Sequence, residues 1–292
     1  MSQLFSGAGV ALVTPFTKEH NVDYKALETV VENQVKGGMD YLVALGTTAE
    51  TATLSLEEKA NIVELVKEKS EGLPVVAGMG GNDTRTILKH IDKFNFNGIS
   101  GILVVTPYYN KPSQEGMYRH YMEIAKASPV PVILYNVPSR TGINLEAETV
   151  ARLATASENI VAIKEASGTH SQMTKILKYT PDNFTLISGD DLLAITISSI
   201  GGKGVISVIA NALPHKISKL MHLAMENNYA EARKIHYELI EMFQLMFKEG
   251  NPGGVKALMN IQGTLENVLR LPLYRISDEL YNEINTAYHK LS

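Results

Sequence analysis

A lysine inside a mostly apolar run is the strongest sign of chemistry in this chain. The run reads Ile160-Val161-Ala162-Ile163-Lys164-Glu165-Ala166, a pattern typical of a strand buried beneath helices. Burial favours the neutral form of an amine, and the neutral amine is the form that attacks a carbonyl carbon. Lys164 shares its strand face with Ala162 and Ala166, whose small side chains leave room for a ligand. We interpret Lys164 as a Schiff-base lysine; the alternative is a strand-end lysine that reaches solvent.

A tyrosine and an arginine occur at the end of the preceding apolar run, residues 130–138. If the two runs are neighbouring strands, Tyr135 lies close to Lys164, where a phenol can move protons to and from an imine. Arg140 follows in the loop and offers a planar fork that suits a carboxylate. The alternatives are a buried tyrosine with a satisfied hydroxyl and a surface arginine.

Two further loops carry groups that could bind a substrate. Thr47 and Thr48 follow an apolar run, and their hydroxyls and backbone amides could hold a carboxylate, although threonines there could instead cap the next helix. Tyr108 and Tyr109 lie in a loop outside any periodic pattern. Aromatic residues in such places mark a site or an interface more often than core packing.

Three other features give weaker signals. Residues 201–204, Gly-Gly-Lys-Gly, resemble a phosphate cradle, but they enter a strand, so a helix C-cap and turn is favoured. Asp190 and Asp191 leave a strand and could bind a metal, or could cap a helix. The eight histidines include no pair spaced for a zinc site around a glutamate.

These groups must be positioned by alternating strands and helices. Eight β-rich runs are predicted at residues 9–16, 41–46, 74–80, 101–107, 130–138, 160–166, 184–190 and 204–210. Amphipathic helices are predicted between them at residues 23–37, 55–70, 84–95, 114–128, 145–156 and 171–179. Eight such units predict an α/β fold, a parallel (β/α)8 TIM barrel with its reactive groups at the carboxyl ends of the strands. A doubly wound open sheet is the alternative, without a G-x-G-x-x-G after the first strand to support it.

The chain becomes helical after residue 211. Helices are predicted at residues 214–227, 229–249, 254–267 and 278–291, of which the first closes the barrel. We therefore expect a catalytic barrel at residues 1–227 and a C-terminal helical bundle at residues 228–292.

The composition narrows the class of protein. The 27 basic and 31 acidic residues include no run of five like charges, which argues against nucleic acid and anionic membranes as partners and favours small molecules. The absence of cysteine excludes disulfides, thiolate metal sites and cysteine nucleophiles. No amino-terminal signal pattern is visible, and we expect a cytoplasmic location.

Four segments together resemble the pyruvate-dependent class I aldolase family, and the likeness covers essentially the whole chain. They are Val105-Thr106-Pro107-Tyr108-Tyr109-Asn110-Lys111-Pro112, Tyr135-Asn136-Val137-Pro138-Ser139-Arg140-Thr141-Gly142, Ile163-Lys164-Glu165-Ala166 and Leu186-Ile187-Ser188-Gly189-Asp190-Asp191. Two departures are Ala49, where the family commonly has glycine, and residues 251–254, Asn-Pro-Gly-Gly, which replace the more usual Asn-Pro-x-Pro. Neither departure removes a catalytic group.

The resemblance implies a role for each matching residue. Lys164 would form an imine with pyruvate, whose carboxylate Thr47 and Thr48 would hold. A proton relay would join Thr47, Tyr135 and Tyr109, the last reaching in from a neighbouring subunit of a homotetramer. Arg140 would receive the carboxylate of the second substrate, and Gly189 and Ile206 would line the pyruvate pocket.

The implied reaction condenses pyruvate with (S)-aspartate 4-semialdehyde in diaminopimelate and lysine biosynthesis, with neither a metal nor an organic cofactor. One alternative is an N-acetylneuraminate lyase or keto-deoxy-sugar aldolase, although Arg140 with the tyrosine pair favours the semialdehyde. An alternative of another class is a barrel that binds a keto acid without catalysis, which retention of the lysine, the tyrosines and the threonines argues against.

Overall fold

The computed structural model describes residues 2–291, and eight parallel strands in this range close into a barrel in chain order. The strands are β1 Gly7–Ala11, β2 Tyr41–Ala44, β3 Val75–Gly78, β4 Gly101–Val105, β5 Val132–Asn136, β6 Ile160–Glu165, β7 Thr185–Ser188 and β8 Gly204–Ser207. Pairing of β1 with β8 completes the ring. The predicted TIM barrel is therefore confirmed, and the open-sheet alternative is wrong.

Helices cover the outside of the barrel and continue beyond it. They are α1 Tyr24–Lys36, α2 Leu56–Lys69, α3 Thr84–Lys93, α4 Gln114–Ala127, α5 Pro138–Thr141, α6 Ala147–Ala156, α7 His170–Tyr179, α8 Ala194–Ser199, α9 Pro214–Met225, α10 Tyr229–Leu245, α11 Gly253–Ile261 and α12 Asp278–Lys290. The sequence analysis missed the short helices α5 and α8. Helices of four and six residues are too short to produce an amphipathic repeat.

The strands are shorter than predicted, mainly at their carboxyl ends. The first run was expected to extend to residue 16, but β1 ends at Ala11. Apolar residues beyond it, such as Leu12 and Val13, are also buried. The Leu12 N–H still donates to the Val43 carbonyl at 3.0 Å, but the Val13 N–H donates to the Asn211 side chain and no longer to a strand. Apolar content thus reports burial, whereas a strand also needs backbone partners in a neighbouring strand.

The interior of the barrel is filled with alternate side chains from its strands. Tyr41, Val43, Leu103 and Ile187 belong to this inner cluster, and Phe5 packs edge-on against Tyr41 with ring centroids 6.0 Å apart. This packing fills the centre of the barrel, and the loops at the carboxyl ends of the strands are where a TIM barrel binds its ligands.

The C-terminal helices share a core with the barrel helices. Leu239 and Met242 of α10 and Leu258 of α11 belong to the same buried cluster as Leu27 and Val30 of α1. The boundary proposed at residue 227 is therefore crossed by continuous apolar packing. No helix within residues 2–291 is long and apolar enough to cross a membrane.

Candidate active site

Lys164 and Tyr135 are register partners on the neighbouring strands β6 and β5. The Lys164 Nζ lies 4.5 Å from the centroid of the Tyr135 ring, and both residues are buried. The predicted proximity of these two side chains is thus confirmed. A phenol this close to the amine can exchange protons with groups that form on it.

The neighbouring carboxylate, Glu165, points to the opposite side of β6 and is occupied there. It accepts hydrogen bonds from the amides of Asn136 (3.0 Å) and Gln172 (2.9 Å) and from the Ser167 N–H at 2.6 Å. Within residues 2–291, Lys164 forms no ion pair. Its amine can therefore approach a bound carbonyl without first breaking a salt bridge.

The Glu165 cluster also holds the loop that carries Arg140. The Asn136 side chain accepts from the Leu145 N–H at 2.9 Å and donates to Asn144 at 2.8 Å, which fixes the two ends of the loop around α5. Sequence reasoning missed this network, although Asn136 and Glu165 lie inside the quoted segments. Polar residues in apolar runs were the available signal, because buried polar groups need partners.

Thr47 and Thr48 form a tight turn after β2, and Thr48 is buried. The Asn251 amide Nδ2 donates to the Thr48 Oγ1 at 3.1 Å. Because the hydroxyl oxygen is occupied as an acceptor, its hydrogen remains free to donate to a carboxylate. The capping alternative is wrong, since Ser55 caps α2 and forms a capping box with Glu58.

These groups surround a cavity of about 360 Å³ at the carboxyl ends of the strands. Of the predicted residues, the cavity wall includes Thr47, Thr48, Tyr135, Arg140, Lys164 and Gly189. Arg140 is exposed at the rim, and the described residues give it no carboxylate partner. The cavity thus has a buried amine, hydroxyl donors and an unpaired cation.

Gly189 is required by the crowding around Lys164. A Cβ added at this position would lie 2.6 Å from the Ala166 Cβ and 3.2 Å from the Lys164 Cε. The first contact would force the end of β6 or β7 to shift, and the second would press on the Lys164 side chain, so glycine leaves room at this point of the cavity.

Two predicted site residues lie outside the cavity wall. Ile206 is fully buried in the inner cluster of the barrel. Tyr109 is 90% exposed and adopts a left-handed backbone conformation with φ of 74°. The Tyr109 phenol therefore does not contribute to the cavity of its own subunit.

The C-terminal helices supply cavity residues that the sequence analysis did not identify. Phe243 and Gln244 of α10, with Phe247 and Asn251 just beyond it, close one side of the cavity. Residues 251–254 had been noted only as a departure from a family pattern. Their position against β2 could not be read from a local motif.

The weaker candidates are not part of a metal or phosphate site. Asp191 accepts from the N–H groups of Val208 and Ile209, and burial raises its pKa. Asp190 accepts from the Leu192 N–H. This bond is local to the turn that leads into α8, whose N-cap is Leu193 without a side-chain hydrogen bond, so neither aspartate caps α8 itself. The part of the chain that is described contains no group of three metal-ligating side chains. Gly201 forms the turn after α8, as expected.

Comparison with known proteins agrees with this geometry. Residues 4–291 match the model of the dihydrodipicolinate synthetase family. The 4-hydroxy-tetrahydrodipicolinate synthase of Parabacteroides distasonis is 50% identical over 287 residues, which cover 98% of this chain and 97% of that protein. The enzyme of the same name from Flavobacterium psychrophilum is 44% identical over 291 residues, 99% of each chain.

Solved structures give the same result. The dihydrodipicolinate synthase of Aquifex aeolicus superposes with a TM-score of 0.95 at 39% identity and 98% coverage of both chains. The Thermotoga maritima enzyme gives 0.96 at 37% identity and 99% coverage of both. Agreement of sequence and fold extends over nearly the whole length, and the chain belongs to the dihydrodipicolinate synthetase family.

Proposed function

We propose that this protein condenses pyruvate with (S)-aspartate 4-semialdehyde to give 4-hydroxy-tetrahydrodipicolinate and water, a step of diaminopimelate and lysine biosynthesis. The observation that carries the proposal is the buried Lys164 amine beside the Tyr135 phenol, in a cavity that also has hydroxyl donors and Arg140. This set provides a nucleophile, a proton carrier and sites for two carboxylates. Family membership supports the same reaction.

The proposed chemistry begins at Lys164. Its amine attacks the keto carbon of pyruvate, and loss of water leaves an imine while Thr47 and Thr48 hold the carboxylate. Loss of a methyl proton converts the imine to an enamine, whose carbon attacks the aldehyde of the second substrate. The aldehyde oxygen takes up a proton and becomes a hydroxyl, and Tyr135 carries protons in these steps.

The final step releases the enzyme. The amine of the adduct attacks the imine carbon, which closes the ring and expels the Lys164 amine. Arg140 stands at the rim, where its guanidinium can bind the carboxylate of the semialdehyde. A sugar substrate would instead need several groups for hydroxyls, which this rim arginine does not supply.

We also propose that the working form is a homotetramer in which Tyr109 completes the proton relay of a neighbouring subunit. The exposure of Tyr109 and its position outside its own subunit's cavity support this assignment. The cytoplasmic location remains a prediction, which cell fractionation with an antibody against the protein would test.

Borohydride trapping tests the mechanism. Incubation with pyruvate and borohydride should inactivate the protein irreversibly and add a reduced pyruvyl group to Lys164, because reduction converts the imine to a stable amine. Peptide mass mapping identifies the modified residue, and borohydride alone is the control. Modification of another lysine, or of none, would disprove the mechanism.

Turnover distinguishes the competing functions. The purified protein should consume pyruvate and the semialdehyde together in a coupled assay and should not cleave N-acetylneuraminate. Cleavage of the sugar in place of condensation would favour the lyase, and pyruvate binding without turnover would favour the non-catalytic barrel.

A further inference from the structure

A fully buried ion pair lies directly behind the turn that carries Thr47 and Thr48. The Lys256 Nζ of α11 lies 2.5 Å from the Glu50 Oε1, and neither side chain is exposed. The pair joins residues 206 positions apart in the chain. Neither residue lines the cavity, and the proposed mechanism does not use the pair.

Both members of the pair are fully engaged. Lys256 also donates to the Val268 carbonyl at 2.9 Å and lies 4.2 Å from the centroid of the Phe16 ring. The second oxygen of Glu50 accepts from the Arg270 N–H at 2.9 Å. Burial lowers the pKa of Lys256 to about 8, although Glu50 opposes that shift.

Stability alone does not explain such a pair. Desolvation of two charges offsets most of their attraction, and well-packed apolar replacements are often as stable or more so. A buried pair of charged side chains instead fixes one arrangement of the two backbone segments that carry them. The pair therefore matters most if a functional group near Glu50 needs a defined arrangement.

The backbone of Glu50 ends the turn that presents the two threonines. Its N–H donates to the Thr47 carbonyl at 3.1 Å, and its φ of 54° lies in the left-handed region. Leu45, on the other side of the turn, has a φ of 57°. Side-chain-bearing residues hold this conformation only where surrounding contacts impose it.

The same C-terminal segment contacts the turn at a second point. Asn251, just before α11, donates to the Thr48 hydroxyl, and Lys256 within α11 binds Glu50. The short segment from Asn251 to Lys256 therefore contacts both a threonine hydroxyl and the residue that ends the turn on which that threonine is mounted.

We propose that the Glu50–Lys256 pair is a positioning device that fixes Thr47 and Thr48 for the carboxylate of the keto-acid substrate. The proposal rests on the function proposed above, because it takes pyruvate as the first substrate. Lys256 and Glu50 are positioning residues and touch no reacting atom. The C-terminal helices thus contribute to substrate affinity.

The test compares two ketones in borohydride trapping, pyruvate and acetone, which lacks the carboxylate. The variants are Glu50→Gln, Lys256→Met and the double variant, in which no charge is left unpaired. In the double variant we expect the pyruvate concentration for half-maximal trapping to rise roughly tenfold or more, because small misplacements of a positioning group cost that much. The acetone dependence should remain as in the wild type, since no carboxylate has to be held.

Thermal unfolding separates this role from a purely structural one. The double variant should regain most of the melting temperature lost in Lys256→Met, yet keep the defect toward pyruvate. Leu153→Ala on α6, distant from the turn, is a control for lost stability and should leave both ketone dependences unchanged. Should Lys256→Met not fold, Glu50→Gln provides the same comparison, with a smaller rise for pyruvate.

Two results would overturn the proposal: an unchanged pyruvate dependence in the folded variants, or an equal rise for acetone and pyruvate. Failure of the wild type to be trapped by pyruvate at Lys164 would instead disprove the proposed function itself.

Discussion

Among residues 2–291, Lys164 contacts a phenol and has no carboxylate partner, and these neighbours determine the chemistry that its amine can perform. Strand alternation turns Glu165 to the other side of β6, where amide donors bind it. Two adjacent residues thus serve different purposes. Lys164 faces the cavity, and Glu165 supports the loop that carries Arg140.

Substitution of Arg140 tests whether this single residue binds the second substrate. Arg140→Ala should raise the KM for the semialdehyde by roughly tenfold to a hundredfold, because a two-point contact with its carboxylate is lost. Imine formation with pyruvate should remain as in the wild type, which borohydride trapping measures.

Arg140→Lys is the matched variant for this test. It keeps the charge but lacks the planar fork, so it should recover only part of the semialdehyde affinity. Equal loss of pyruvate trapping and of semialdehyde use would remove the assignment of Arg140 to the second substrate.

Contacts between helices show how the C-terminal segment is joined to the barrel. The proposed division at residue 227 separates two stretches that share one apolar core. Polar contacts also cross it, because Arg270 binds Glu58 of α2 and the carbonyls of Thr53 and His20. The C-terminal segment is therefore expected to unfold together with the barrel.

Stability against acid tests the contact between Glu58 and Arg270. The hydrogen bonds from Arg270 lower the pKa of Glu58 from 4.5 to about 2. A carboxyl with a lowered folded-state pKa stabilises the protein above its unfolded-state value and loses this effect as the pH falls toward 2. Glu58→Gln should therefore lower the free energy of unfolding by about 1–2 kcal/mol at neutral pH and by much less near pH 3.

Melting temperatures of the wild type and the variant between pH 7 and pH 3 provide the measurement. Glu57→Gln is the matched control, because Glu57 is exposed on the same turn and has no ion pair in the part of the chain described here. A difference between the wild type and Glu58→Gln that stays constant with pH would contradict the assigned pKa shift.

The whole molecule includes an aromatic residue that its own cavity does not use. If Tyr109 acts across a two-fold interface, mixing Tyr109→Phe subunits with Lys164→Ala subunits should restore activity, since one site in each mixed pair has both groups. Random exchange should give roughly a quarter of the wild-type activity.

Native mass spectrometry would verify the subunit exchange. Each variant alone is the control and should have little activity. Verified exchange without recovery would place Tyr109 in its own subunit's site or outside catalysis.

Feedback inhibition by lysine is a further property of the whole molecule for which we make a prediction. The resemblance to the family implies that lysine inhibits some of its members at an interface near Tyr108. By motif position, a corresponding pocket here would involve Thr51, Ala52, Leu56, Lys59, Asn82 and Thr86. In lysine-sensitive relatives we expect a histidine at the position of Leu56 and a glutamate at that of Thr86.

Neither nearby acid is free to replace that glutamate. Glu50 is bound to Lys256, and Asp83 caps α3 by accepting from the N–H groups of Arg85 and Thr86. A cationic effector therefore lacks a carboxylate partner and meets Lys59. We predict weak or no inhibition by lysine in a titration at sub-saturating pyruvate. Half-inhibition at sub-millimolar lysine would contradict this.

The sequence by itself determined the barrel and the reactive groups of the cavity wall. Eight apolar runs alternating with amphipathic helices allow few architectures, and parallel strands place all of their carboxyl ends at one face. Lys164, Tyr135, Arg140 and the two threonines each follow or end such a run. Their meeting in one cavity could therefore be predicted from local patterns.

Only the tertiary structure decided how that cavity is closed and supported. The contacts of Asn251 with Thr48 and of Lys256 with Glu50 join residues 203 and 206 positions apart. A local pattern records whether a residue is buried or exposed, but it does not record which distant residue is its partner. That partner is fixed only when the C-terminal helices pack onto the barrel helices in one apolar core, which brings residues 251–256 to the turn after β2.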